Sequence, residues 1–347
     1  MKVQSFAALA LATCTAASPS SLKNKKFKFD WNKTKSLIAF GDSYTFVQGT
    51  LGHQNYTFIG DNFNKSFTPE KLFSNRIVLN VSFSTEGTAE GGPNWVEYLT
   101  KCGTKKGLTD PRTCHRQLWD FAYAGANTVS EAGFTPAHWN HTVSFQQQIE
   151  QFVSYGNPAL ETIKLKKKDA LVAIWIGIND INDLKGLRGK NATFAPLYEK
   201  VAGYVWESVE KIYQLGYRNY LVMNLPPLDR GPSASLNASL VKTFNDIAAS
   251  HANDFAANHS DATVLQYDLN GVLNNILDNY QEYGFKNITN FCPGYAQPDI
   301  YSNPGKYGCG EGLSTYFWYN SGHLTSRTHE IFSGMLEKWL VSKSGRN

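Results

Sequence analysis

Four short polar clusters in this 347-residue chain hold residue types from which hydroxyl-based nucleophilic chemistry can be assembled. Phe40-Gly41-Asp42-Ser43-Tyr44 places a serine after a glycine, which permits backbone angles closed to other residues. Tyr123-Ala124-Gly125-Ala126-Asn127 places a glycine where its N–H can face a ligand, and Gly177-Ile178-Asn179-Asp180 offers an amide donor. Asn320-Ser321-Gly322-His323 adds an imidazole. Each has a plainer reading. Ser43 reads as a helix N-cap, Gly125 as a tight turn and His323 as one of eight histidines with nothing to single it out. Asp42 and Asp180 read as turn and cap acceptors.

What the clusters share is their position after apolar runs. Ser36 to Phe40, Trp119 to Tyr123, Ala170 to Ile176, Asn219 to Met223 and Thr263 to Tyr267 are continuously apolar, as parallel strands covered on both faces are. Segments 143–156, 194–215, 235–257 and 324–342 carry apolar residues at helical spacing. The alternation predicts a doubly wound, flavodoxin-like α/β fold on a five-stranded parallel sheet, with helices on both faces. Ligands of such sheets bind beyond the carboxyl ends of the strands, where three of the four clusters fall. Segments 46–95 and 284–315 read as long surface insertions of the kind that build binding sites.

In this order the clusters resemble the GDSL, or SGNH, hydrolase superfamily. The resemblance implies Ser43 as nucleophile, His323 as general base, and an oxyanion hole from the Ser43 N–H, the Gly125 N–H and the Asn179 side chain. Gly92-Pro93-Asn94-Trp95-Val96-Glu97-Tyr98-Leu99 and Asn224-Leu225-Pro226-Pro227-Leu228 resemble segments of its secreted eukaryotic branch. A single catalytic domain over 19–347 is expected, since Ser43 and His323 must meet, and no metal or organic cofactor is required. The chain departs from the family at Asn320, where the resemblance implies an aspartate to orient the imidazole. An asparagine oxygen can still accept the Nδ1–H but brings no charge. A backbone carbonyl or another carboxylate, such as Asp299, could hold the ring instead, or turnover could be weak.

Residues 1–18 read as a cleaved signal peptide: Lys2, an apolar run from Phe6 to Ala12, then small residues. No stretch is long and apolar enough for a transmembrane anchor. Asn-x-Ser/Thr acceptors at Asn32, Asn55, Asn64, Asn80, Asn140, Asn191, Asn237, Asn258 and Asn287 exceed the roughly four expected by chance, so a secreted glycoprotein is predicted. Without Cys14, four cysteines allow three disulfide pairings. The local pairs Cys102 with Cys114 and Cys292 with Cys309 each close a loop containing Gly and Pro, and no C-x2-C spacing suggests zinc.

A net charge of +4, spread along the chain, argues against a nucleic-acid partner, and a monomer is expected. Aromatic residues make up 14% of the chain, a composition suited to stacking on sugars. The segments around Trp95 and Trp318 resemble fungal secreted acetyl esterases of carbohydrate esterase family sixteen. That resemblance implies deacetylation of xylo- or manno-oligosaccharides in hemicellulose degradation, with Trp95 and Trp318 as candidate sugar platforms, though a core role suits either tryptophan at least equally well. A GDSL-type lipase and a glycan-binding relative with little turnover are the alternatives.

Overall fold

The computed structural model describes residues 29–60, 68–79, 87–189, 192–234 and 236–345. The signal-peptide reading of 1–18 and the acceptors Asn64, Asn80 and Asn191 lie outside the described residues.

Five parallel strands form the central sheet: β1 (Ser36–Gly41), β2 (Gln117–Asp120), β3 (Ala170–Trp175), β4 (Asn219–Met223) and β5 (Thr263–Tyr267), in the order β2-β1-β3-β4-β5. β1 and β3 are buried along their whole length and pair from Ser36 with Ala170 to Gly41 with Trp175, so their carboxyl ends finish level. The second strand begins and ends earlier than the apolar run Trp119 to Tyr123 predicts. The Asp120 carboxylate accepts the N–H groups of Ala122 and Val47, which diverts the chain into a turn while it is still apolar.

The helices are α1 (Pro69–Ser74), α2 (Trp95–Thr100), α3 (Phe145–Gln151), α4 (Asn157–Thr162), α5 (Ile178–Arg188), α6 (Ala195–Gln214), α7 (Ala238–Asn258), α8 (Leu269–Asp278) and α9 (Ser326–Lys343). They cover both faces of the sheet, with α6 against α3 and α7, and α2 against α9. A second pair of strands, β6 (Asn287–Phe291) and β7 (Tyr316–Trp318), brings the chain to the start of α9.

The two insertions are less superficial than the sequence suggests. Val47, Phe58, Leu72 and Ile77 of the first are buried in the main core, and Phe46 is buried in a small cluster with Ala122 and Ala124. The second forms a small core of its own around Ile300, Leu313 and the disulfide Cys292–Cys309. Cys102 and Cys114 form the other disulfide, so both local pairings are present. Asn32, Asn55, Asn140, Asn237 and Asn258 are exposed and Asn287 is half-buried. Among the described residues, no helix is long and apolar enough to cross a membrane.

Candidate active site

The serine turn begins where β1 and β3 approach closely. A Cβ at position 41 would lie 2.3 Å from the Trp175 carbonyl oxygen, so only glycine fits there. Buried Gln148 of α3 closes the strand end: its Oε1 accepts the Gly41 N–H at 3.0 Å and its Nε2 donates to the Gly41 carbonyl at 2.8 Å. Beyond it, Thr45 and Phe46 donate to the Asp42 carbonyl, and Asp42 Oδ1 accepts the Tyr44 N–H at 3.0 Å. Ser43 therefore sits in a single hydrogen-bonded turn, not at the start of a helix as an N-cap would. The aspartate competes for the N–H groups a helix would need. Buried Asn94 then fixes the exit, donating to the carbonyls of Thr45 and Phe46 at 2.9 and 2.8 Å. The same residue caps α2 in a capping box with Glu97.

His323 arrives from the other end of the chain, in the loop between β7 and α9. Its Nε2 lies 2.8 Å from Ser43 Oγ, and its Nδ1 lies 2.9 Å from Asn320 Oδ1. Asn320 Oδ1 also accepts the N–H groups of Gly322 and His323, each at 2.9 Å. Three donors converging on one atom identify it as the amide oxygen. Nδ1 thus carries the proton, leaving Nε2 free to accept from the serine hydroxyl. Tyr44 ties the two loops together: its hydroxyl donates to the Gly322 carbonyl, and its ring lies between Trp175 at 4.8 Å and His323 at 5.3 Å. Burial, with no carboxylate hydrogen-bonded to the ring, lowers the His323 pKa to about 4, so the resting imidazole is neutral.

Gly125 and Asn179 come from the neighbouring strand ends. Gly125 has φ +76, a left-handed angle that favours glycine, and a Cβ there would lie 2.6 Å from the Trp139 ring. The Tyr123 N–H donates to the Gly41 carbonyl, which holds this loop beside the serine turn. Asn179, in the first turn of α5, donates to the Ala126 carbonyl at 2.9 Å. Asp180 receives the Thr128 N–H at 2.9 Å and its hydroxyl at 3.2 Å, fastening the same loop. Burial pushes Asp42 up to about 8 and Asp180 up to about 7, and both serve as turn and cap acceptors.

Both candidate platforms fail. Trp95 is wholly buried at the start of α2, with its indole N–H on Thr45 Oγ1 and its backbone N–H on His329 Nδ1. Trp318 is buried in β7 and donates to the Ile288 carbonyl. They are core residues, and neither can meet a sugar. Asp299 is engaged by Tyr307, Lys306 and Asn303, so it does not replace Asn320. Tyr44, Asn94 and Gln148 were not singled out from the sequence. Of these, only Asn94 carried a local signal, the Asn-x-x-Glu spacing of a capping box.

Comparison with known proteins gives a consistent picture. The GDSL-like Lipase/Acylhydrolase family matches residues 37–333. An acetylesterase of Thermothelomyces thermophilus is 26% identical over 249 residues, covering 68% of this chain and 70% of its own. Two GDSL esterase/lipases of Arabidopsis thaliana are 28% identical over 328 residues and 22% identical over 337 residues. The first alignment covers 84% of this chain and 82% of the relative, the second 87% and 89%. The family match takes in Ser43, Asn320 and His323, the whole hydrogen-bonded series, and the chain belongs to the GDSL-like lipase/acylhydrolase family as a carboxylic ester hydrolase.

Proposed function

We propose that this esterase removes O-acetyl groups from acetylated carbohydrates through an acyl-enzyme on Ser43. The observation that carries the mechanism is the series Ser43 Oγ, His323 and Asn320, joined at 2.8 and 2.9 Å with the imidazole in the tautomer a general base needs. His323 Nε2 takes the hydroxyl proton as Oγ bonds to the acetyl carbon, and the carbonyl electron pair moves onto oxygen. The N–H groups of Ser43 and Gly125 and the free N–H of Asn179 stabilise that oxyanion. Collapse breaks the bond to the sugar oxygen, which leaves with the proton from the imidazolium. Water, deprotonated by the same histidine, then attacks the acetyl-serine, and acetate and free Ser43 return.

Asn320 orients the ring in place of an aspartate, so the imidazolium formed in each half-reaction is held by a dipole, not a charge. The acetylesterase relative supports the acetyl group as the acyl part. An apolar leader and exposed Asn-x-Ser/Thr acceptors support an extracellular glycoprotein acting on polysaccharide fragments. The test is time-resolved acetate release from acetylated xylo-oligosaccharides by the wild type and Ser43→Ala. Release that Ser43→Ala abolishes is the expected result. Cleavage of long-chain acyl esters with no acetate release would sink the acetyl-sugar assignment and favour a lipase.

A further inference from the structure

With the two buried tryptophans excluded, Trp139 is the large aromatic residue among the exposed hydrophobic side chains of the described residues, and it lies beside Gly125. We infer that the sugar bearing the acetyl group is held against Trp139, whose indole lies over Gly125 and which follows, in the chain, the residues 136–138 that form a cleft with α5. This rests on the acetyl-carbohydrate reading above and names the part of the site that would recognise the sugar.

Trp139 is 39% exposed, and the edge of its six-membered ring lies over Gly125. Its indole is backed by a fixed stack. The His141 ring lies 5.6 Å away and 11° from parallel, and His53 stacks on His141 at 4.5 Å. Tyr56 leans against Trp139 at 5.0 Å. A ring already immobilised by its neighbours loses little further freedom when a ligand packs on it.

A cleft of about 390 Å³, within the range of small-ligand clefts, is lined by residues 136–138, which precede Trp139 in the chain, and by Asn182, Asp183, Gly186 and Leu187 of α5. His138, whose ring meets the Trp139 edge at 5.4 Å, lies on one side, and Asn182 and Asp183 of α5 lie on the other. Asp183 Oδ2 accepts Asn127 Nδ2 at 2.9 Å and lies 3.2 Å from His138 Nδ1, so the carboxylate is fixed in position. Asn179, Asn182, Asp183 and Gly186 recur at three- and four-residue intervals and share one face of α5. Asn179 thus lies on the helix face whose next residues line the cleft.

A pyranose presents C–H bonds on its flat faces and hydroxyls around its edge. An aromatic ring flanked by a carboxylate, an amide and an imidazole matches both surfaces. An acyl chain in the same groove would desolvate Asp183 without replacing its hydrogen bonds.

The test compares Trp139→Ala and Trp139→Phe with wild type on two substrates, acetylated xylotriose and ethyl acetate, which has no sugar. The expected result is a fall of at least tenfold in the ratio of kcat/KM for the saccharide to that for ethyl acetate in Trp139→Ala. The loss should appear as a raised KM for the saccharide, and Trp139→Phe should recover most of it. An unchanged ratio with an active enzyme overturns the subsite and leaves the acetyl-carbohydrate reading standing. An equal fall in kcat on both substrates also overturns it, since Trp139 would then act by supporting Gly125. Ser43-dependent hydrolysis of ethyl acetate with none of the saccharide by wild type would overturn the carbohydrate reading itself, and the subsite with it.

Discussion

Replacing Asn320 by aspartate changes almost nothing in shape and adds one negative charge next to the His323 imidazole. The oxygen at position 320 already lies 2.9 Å from His323 Nδ1 and is held there by two backbone N–H groups, so the carboxylate would inherit a prepared seat. Opposite charges centred about 4 Å apart attract by about 4 kcal/mol at an effective dielectric of 20, equivalent to about 3 pKa units. Charge delocalisation and the cost of burying the carboxylate reduce this, and shifts of about 1–3 units are typical of such pairs. His323, lowered to about 4 by burial, should therefore titrate between about 5 and 7 in Asn320→Asp. The assay is the pH profile of kcat/KM on a soluble acetate ester, whose acidic limb reports the base in the free enzyme. Wild type should keep its activity down to about pH 4, while the variant should lose it one to three units higher. At pH 8, where both bases are neutral, the variant should be faster because its imidazolium is stabilised. An acidic limb that does not move would refute the assignment of Asn320 as the group that orients His323.

Three further predictions concern the supporting groups. Asn179→Ala should lower kcat by about 10²–10³ with little change in KM, as expected when an oxyanion donor is lost. An equal effect on KM would place Asn179 in ground-state binding. Asn94→Ala removes a helix cap and leaves the carbonyls of Thr45 and Phe46 without their donor, so urea unfolding should show a loss of about 2–4 kcal/mol. The remaining folded protein should also turn over more slowly, because the serine turn loses its anchor, and normal kcat in that fraction would contradict the clamp. Asp42 and Glu97 are raised by burial from 3.8 and 4.5 to about 8, and Asp180 from 3.8 to about 7. The folded state then binds more protons than the unfolded chain between about pH 4 and 8, so stability falls as pH rises through that window. His323 is neutral in both states above about pH 7 and offers no opposing effect there. The melting temperature should drop from pH 6.5 to pH 9, and a flat or rising profile would show that these carboxyls are ionised in the fold.

Much of this arrangement was legible in the sequence because buried parallel strands are written as uninterrupted apolar runs. β4 and β5 coincide with Asn219 to Met223 and Thr263 to Tyr267 for that reason. β2 was misplaced because Phe121 and Tyr123 are as buried as a strand, yet belong to the turn that Asp120 initiates. α5 left no amphipathic trace, since Asn179, Asp180 and Asp183 occupy its first turns and work toward neighbouring loops, and Asn182 bonds back to the Ile178 carbonyl. The same blindness explains the tryptophans. Burial depends on long-range packing, so the sequence leaves Trp95 open between a sugar platform and a core residue and gives Trp139 no role. Asn320 posed a question that only geometry could answer, namely which of several acceptors the imidazole would face.

The separation of 280 positions between Ser43 and His323 has a consequence in time. A ribosome adding about 5–20 residues per second makes the nucleophile roughly 14–56 s before its base. Throughout that interval the serine turn can form on β1, but its hydroxyl has no imidazole and Tyr44 has no Gly322 carbonyl to bind. Hydrolytic competence is therefore the last property the nascent chain acquires. A chain interrupted before the β7–α9 loop holds Ser43 without the imidazole that its hydroxyl meets in the folded protein.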